Sequence, residues 1–389
     1  MKNAVIGQSG GPTAAINATL AGVIEGCAES KNIKTLYGAV NGIEGILAEK
    51  LIDLTDISKD SIELLKTTPG AYLGSCRRRI AEDEIDRIFA VMEKFNIGYF
   101  FYIGGNDSMD TVSKLSAKSQ AYGIKVIGIP KTVDNDLYGT DHCPGFGSAA
   151  KFVATSVMEI ARDCTGFDME SVTIVEIMGR NAGWLTAASA LARCNGNTAP
   201  DLIYLPERTF KKDRFLADVR SAIEKKKSIV AAISEGIRDE GGRYIAEETS
   251  DFKNDSFGHS QLGGAGKVLE QFIKKELRCK ARTIELSLLQ RSAAHLLSET
   301  DLLLSVKIGR SAVEAAEGGA TGVMMCFKHK GYNPFVCQIE TADIHQIANT
   351  ENKVPHIYIN REGNGVTDKF IEYATPLIMG SVPVPVKNG

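Results

Sequence analysis

Short apolar runs recur along the chain, separated by longer segments of mixed polarity. Residues 4–6, 34–37, 98–103, 125–129, 171–177, 202–205, 228–233, 282–289 and 322–327 read as strands. Between them, residues 14–28, 82–94, 107–121, 146–161, 182–192, 214–225, 263–275 and 308–317 read as helices. In the 82–94 segment, Ile85, Ile88, Phe89 and Met92, with Phe95 beyond it, fall at three-four spacing and share one face. Strands alternating with helices throughout predict an α/β protein with mainly parallel sheets. Residues 340–389 carry less pattern, with a short β-like run at 356–359. No low-complexity tract interrupts the chain.

The chemistry sits where apolar runs end. Gly104-Gly105-Asn106-Asp107-Ser108 follows one strand, and Pro130-Lys131-Thr132-Val133-Asp134-Asn135-Asp136 follows another. Ligands of open α/β sheets bind beyond the carboxyl ends of strands, so both loops are expected to face one crevice. Glycines let backbone N–H groups approach phosphate oxygens, and a helix starting after them adds its positive end. Asp134 and Asp136 supply the carboxylate pair that phosphoryl transfer needs, one for a hydroxyl proton and one for a metal ion. Gln8-Ser9-Gly10-Gly11 repeats the strand-then-glycine layout, and Arg77-Arg78-Arg79 ends a Gly-Ser loop with guanidinium groups suited to phosphate. Met178-Gly179-Arg180, Ser234-Glu235-Gly236 and Gln290-Arg291 close three further strands. Gly263-Gly264-Ala265-Gly266-Lys267 resembles a P-loop but lacks its first glycine and its Ser/Thr.

Composition narrows the classes. The 389 residues carry a net charge of −3, which offers no broad attraction to nucleic acid or anionic membrane. An anionic substrate must therefore be held by local cations. No apolar run approaches the ~20 residues of a membrane helix. The eight cysteines form no C-x-x-C pair, and the six histidines show no ligand spacing. Free thiols and a cytoplasmic location are expected.

In their order and residues, Ser9-Gly10-Gly11, Gly74-Ser75-Cys76-Arg77, Gly104–Ser108, Pro130–Asp136, Val175–Arg180, Ser234–Gly236 and Leu289–Arg291 resemble the phosphofructokinase family. The resemblance reaches to about residue 330. It implies two Rossmann-like lobes with the active site between them. The implied donor lobe spans residues 1–146 with about 290–345, the sugar-phosphate lobe 147–289, and a C-terminal extension about 346–389. It implies phosphoryl transfer to the 1-hydroxyl of fructose 6-phosphate with Mg²⁺. Asp134 is the implied base, assisted by Arg77, Thr132 and Lys131. Gly10, Gly11, Gly105, Asn106, Asp107, Ser108 and Lys131 would bind the donor. Thr132, Asp134, Met178, Gly179, Arg180, Glu235, Arg282 and Arg291 would hold the sugar phosphate. Asp107 and Asp136 would serve the metal. Arg282 matches a position that reaches a neighbouring subunit's site, which implies a homodimer or homotetramer with shared sites.

Several positions depart from the family pattern. Asp107 replaces a glycine that lies against a nucleotide's α-phosphate, and Lys131 replaces another glycine. Together they resemble the pyrophosphate-dependent branch, since a carboxylate at 107 repels that α-phosphate. Asn106 stands where the family has a metal-binding aspartate. Ser171 and Leu288 stand where many members carry sugar-phosphate-binding Arg and His. Ala21, Glu25 and Asp163 replace arginines of an effector pocket, so a non-allosteric enzyme is expected. An ATP-dependent enzyme of the same fold and a non-catalytic sugar-phosphate-binding subunit are the other readings.

Overall fold

In chain order the strands are β1 (Lys2–Gln8), β2 (Ile33–Ala39), β3 (Leu51–Asp53), β4 (Ile97–Gly104), β5 (Lys125–Pro130), β6 (Ser171–Ile177), β7 (Leu202–Tyr204), β8 (Ser228–Ser234), β9 (Lys253–Asn254), β10 (Ser260–Gln261), β11 (Lys280–Glu285), β12 (Val323–Tyr332) and β13 (Phe335–Asp343). This computed structural model describes every residue except 167, 249–252, 255–259, 262, 349 and 386–389. The chain divides into two compact units. The first comprises Met1–Ser148, Arg291–Glu351 and Met379–Gly389, and the second Ala149–Gln290 and Asn352–Ile378.

The first unit holds one sheet in the order β13-β12-β5-β4-β1-β2-β3. Its central strands run parallel, and only the edge strands β3 and β13 are antiparallel. Both faces are covered, which is why the central strands read as unbroken apolar runs. One face packs Ile6, Leu20, Phe101 and Ile129, and the other Val5, Phe89, Phe100 and Val126. The helices Ile16–Glu29 and Glu299–Glu317 cross on the first face. They touch backbone to backbone: a Cβ on Gly22 would stand 2.0 Å from the Val306 carbonyl oxygen, and one on Gly309 2.3 Å from that of Thr19. From β1 the chain winds outward to β2 and β3, then returns to place β4 on the other side of β1. That reversal opens a crevice beyond the carboxyl ends of β1 and β4.

The second unit holds a parallel sheet in the order β11-β6-β8-β7. Val172, Ile174, Phe215, Ile233 and Leu269 lie in its core. Its reversal falls between β6 and β8, beyond which lie Met178 and Glu235.

Several expected elements differ. The helix expected at 308–317 begins at Glu299, because Ser298 caps it by accepting from Asp301 N (3.4 Å) and acidic residues fill its first turn. The helix expected over 182–192 is Trp184–Ala188 followed by a tighter turn, Ser189–Ala192. The strand expected over 282–289 is β11, which stops at Glu285. Leu288 and Leu289 lie exposed beyond it. Lys59–Thr67 is a helix the sequence reading passed over. So is β13, whose alternating burial marks a ribbon wet on one side. His356–Tyr358 is a helical turn rather than a strand, and Tyr358 packs in an aromatic group with Trp184, Phe370 and Tyr373. The tail does not stand apart as one extension. Trp184 Nε1 donates to Asn352 O (2.8 Å) in the second unit, while Ser298 Oγ donates to Met379 O (3.1 Å) in the first. Its last four residues lie outside those described. Among the described residues no helix is long and apolar enough to cross a membrane.

Candidate active site

Beyond β1, residues 8–11 are stitched to the loop that carries Arg77. Gly10 N donates to Cys76 O (3.0 Å), Ser75 Oγ to Gly10 O (2.6 Å) and Leu73 N to Gln8 Oε1 (3.0 Å). Gly11 is then surrounded by cations. Lys131 Nζ donates to its carbonyl (2.7 Å), and a Cβ built on it would stand 2.5 Å from Arg291 Nη1 and 3.6 Å from Arg77 Nη2. Lys131 is buried, which pushes its ammonium down to about 7. Arg291 and Arg77 push the same way, and Asp134 and Asp136 oppose them. The Arg291 guanidinium is also lowered, by burial and then by Arg77. Three cations around a residue without a side chain make a cradle for a compact polyanion.

The acid loop begins at Lys131, whose N–H donates to Gly104 O (2.9 Å). Thr132 Oγ1 accepts from Asp134 N (3.1 Å). Asn135 turns the chain at φ +55°, and its Oδ1 accepts from Cys143 N (2.8 Å). Asp136 accepts from Asn106 Nδ2 (2.9 Å). Its carboxyl is raised well above the usual range, first by burial and then by the charge of Asp134. Asn106 Oδ1 is buried with no hydrogen-bond partner. The helix Asn106–Ser119 starts here. Gly105 has no side chain to cap it, and its carbonyl accepts from Ser108 N (3.0 Å) and Met109 N (3.0 Å). Asp107 is held outside this group, pairing through Oδ1 with Arg79 Nη2 (3.0 Å) and Nε (3.1 Å).

In the second unit, Met178 N donates to Gln290 Oε1 (3.1 Å) and Gly179 N to Glu235 Oε1 (3.3 Å). Ser234 Oγ donates to Gly179 O (2.5 Å), so the loops after β6 and β8 form one piece. Arg180 Nε is buried without a partner, a donor poised for an anion. Arg282 does not join this group. It pairs in register with Thr173 and donates from Nε to Thr173 Oγ1 (3.0 Å) and from Nη2 to Asp163 Oδ2 (3.2 Å). Thr173 precedes Met178 by five positions along β6, roughly 16 Å at the rise of a strand. The P-loop look-alike serves another purpose: Glu176, on β6, accepts from Gly264 N (3.0 Å) and Gly266 N (2.7 Å).

The structure therefore gathers Gly10, Gly11, Arg77, Lys131, Thr132, Asp134, Asp136 and Arg291 in the first unit. Arg291, expected with the sugar-binding residues, has its guanidinium beside Gly11. Of the three consecutive arginines, Arg77 faces Gly11, Arg78 pairs with Glu84 and Arg79 with Asp107. Sequence reasoning missed Arg79 as the partner of Asp107, and Asn106 as a free oxygen beside Asp136. It also missed Asp301, which is buried and accepts from Gly145 N (2.9 Å), Ser148 N (3.0 Å) and Ser148 Oγ (2.5 Å), fixing the end of the acid-loop segment. Arg79 and Asn106 sit in loops that the sequence marks and Asp301 does not, but only the fold brings the three to their partners. The positions lacking effector arginines are committed to structure. Ala21 is buried, and Glu25 pairs with Lys66 (2.8 Å) and Arg310 (3.0 Å). Ser171 Oγ meets Ser228 Oγ (2.9 Å).

A glycine-cradled cation cluster beside paired carboxylates is the equipment of a phosphoryl-transfer enzyme, and comparison with known proteins agrees. Residues 3–316 match the family model described as Phosphofructokinase. The pyrophosphate–fructose 6-phosphate 1-phosphotransferase of Xanthomonas campestris pv. campestris is 43% identical over 391 residues, covering 98% of this chain and 93% of that protein. Its counterpart in Halomonas elongata is 39% identical over 397 residues, covering 100% and 94%. The crystal structure of a pyrophosphate-dependent phosphofructokinase from Nitrosospira multiformis superposes with a TM-score of 0.91 at 38% identity, covering 100% of this chain and 94% of that one. With the likeness spanning nearly the whole length in sequence and in fold, the chain belongs to the phosphofructokinase family.

Proposed function

We propose that this chain transfers a phosphoryl group from pyrophosphate to the 1-hydroxyl of fructose 6-phosphate, giving fructose 1,6-bisphosphate and phosphate. The observation that carries the reading is the convergence of Lys131, Arg77 and Arg291 on Gly11. Burial and then the neighbouring Arg291 and Arg77 lower the Lys131 ammonium to about 7, and a bound pyrophosphate restores its charge. Asp134 takes the proton of the attacking hydroxyl, with Thr132 holding its backbone in place. Arg77 and Lys131 face the charge that builds on the transferring group.

The acid loop fits Mg²⁺. Asn106 Oδ1 is a buried oxygen lacking a donor, and Asp136 is a desolvated carboxyl raised in part by its neighbour Asp134. A hard cation relieves both. We assign the metal to Asn106 and Asp136; bound Mg²⁺ neutralises charge on pyrophosphate oxygens. Asp107 was an expected ligand, but its Oδ1 is engaged by the exposed Arg79 at 3.0 Å, a solvent-screened pair that leaves the carboxylate charged. Its part is donor selection, since a carboxylate there repels the α-phosphate of a nucleotide and leaves pyrophosphate untouched.

Initial rates with pyrophosphate and with ATP test the donor, in the natural chain and in Asp107→Gly. The natural chain should turn over pyrophosphate. The variant should gain ATP-dependent turnover and lose part of the pyrophosphate reaction. A natural chain that prefers ATP would overturn the reading.

Met178, Gly179, Arg180 and Glu235 are proposed to hold the sugar phosphate. Arg282, set far back along its strand, is proposed to reach the 6-phosphate in a neighbouring subunit's site, making the enzyme at least a dimer. Sedimentation and activity at matched concentrations check this: activity should fall as the assembly dissociates, and a fully active monomer would refute it.

A further inference from the structure

The histidines show no ligand spacing in sequence, yet two of them meet. His142 lies in the segment that follows the acid loop, and its Nδ1 stands 2.7 Å from Nε2 of His329 on β12. Cys337 on β13 is the cross-strand partner of His329 in the antiparallel ladder. One ligand atom from each of the three lies within 4.8 Å of the other two. His142 is buried and stacks on Phe327 at 4.2 Å between ring centroids, while His329 and Cys337 keep partial exposure. An ion therefore has a path to the group.

The backbone that carries these ligands is fixed independently of any ion. Thr140 Oγ1 donates to His142 O (2.7 Å) and accepts from Phe327 N (2.9 Å). Asp141 N donates to Phe327 O (2.9 Å), and Asp141 Oδ2 accepts from His329 N (2.7 Å). Such support is what a preorganised metal site requires. Two imidazoles and a thiol select a borderline or soft cation; Mg²⁺ and Ca²⁺ require oxygens. With Zn–N of ~2.0–2.1 Å the two nitrogens need to part by only roughly 0.6 Å to span a tetrahedral edge.

We propose that His142, His329 and Cys337 form a binding site for a zinc-class divalent ion, with water as fourth ligand, separate from the Mg²⁺ site at Asn106 and Asp136. Binding breaks the hydrogen bond between the rings. The donor ring moves its proton to its other nitrogen, and the thiol proton leaves to solvent as the metal–sulfur bond forms.

The test uses the full chain, stripped with a chelator and titrated with Co²⁺ in excess Mg²⁺, which keeps oxygen sites filled. One equivalent should bind, with a thiolate-to-cobalt charge-transfer band that Zn²⁺ displaces. Cys337→Ser should abolish the band. His329→Gln should weaken binding by more than the ~10–100-fold that loss of an outer-shell partner costs. Both positions are partly exposed, and unchanged melting of the metal-free variants checks their folding. No band in the natural chain, or a band that survives Cys337→Ser and so belongs to another thiol such as Cys194, overturns the proposal. If Cys337→Ser fails to fold, His329→Gln decides alone: undiminished affinity in that variant sinks the site.

Discussion

Two glycine-rich turns each open a helix, and they do opposite things. Gly104-Gly105 leads into Asn106–Ser119, and among the described residues no side chain accepts from the N–H groups of residues 105–107. Gly263-Gly264 leads into Ala265–Leu277, and there Glu176 takes the N–H groups of Gly264 and Gly266. An internal carboxylate satisfies in the second turn what an external phosphate is proposed to satisfy in the first. Resemblance to a phosphate loop therefore says little until the partner of the amides is known.

The contrast predicts separable effects. The largest is chemical. Asp134→Ser should lower kcat by ~10²–10⁴-fold, because the general base is lost. Sugar-phosphate affinity should change far less, and melting should move little, since removing Asp134 relieves Asp136 but takes a counter-charge from Lys131 and Arg291. Initial rates, binding titration and thermal unfolding measure all three, and near-natural turnover would remove Asp134 from the mechanism. Next comes Glu176→Gln. An amide NH₂ group cannot accept from an N–H, so one buried backbone donor loses its partner, costing about 1–3 kcal/mol. Melting should fall, whereas kcat should hold wherever the protein stays folded. A variant equally stable but inactive would mean that the second turn also handles substrate.

The smallest effect is a proton. Lys131 is lowered to about 7, so near pH 8 it is mostly neutral in the free protein. A bound polyanion raises it again, and pyrophosphate binding should take up close to one proton there. Calorimetry in buffers of different ionisation enthalpy reads that number. The same depression sets a sign for stability. The folded state binds fewer protons than the unfolded chain between about 7 and the ordinary lysine value, so Lys131 makes the ligand-free fold less stable as pH falls through that window. Proton release on binding would place the ammonium elsewhere.

Much of this was legible in the chain because the signals were local. Strand length, glycine after a strand and the Asp134–Asp136 pair all sit within a few residues, and the helix Glu82–Lys94 coincides with its amphipathic segment. What escaped depends on distance along the sequence. Arg79 finds Asp107 and Asp301 finds Gly145 only through the fold. Arg291 lies 280 positions from Gly11, and only the fold brings its guanidinium beside that glycine. The late start assigned to Glu299–Glu317 had a different cause: Leu302, Leu303 and Leu304 run consecutively, Leu303 is exposed while the polar Asp301 and Ser305 are buried, and a Ser298 cap outweighs that weak pattern.

The seven-stranded sheet also has a history. Thr321 accepts from Val126 N across 195 positions, and β12 completes the side of β5 only after all of β6 to β11 has been made. A chain emerging from the ribosome can close the four-stranded sheet first, from strands contained within residues 171–285. Meanwhile β5 presents an open, apolar edge. Synthesis thus passes through an interval in which the strand leading to Asp134 and Asp136 has one side unpaired. Chaperone dependence and the association of chains truncated before residue 323 should report on that edge.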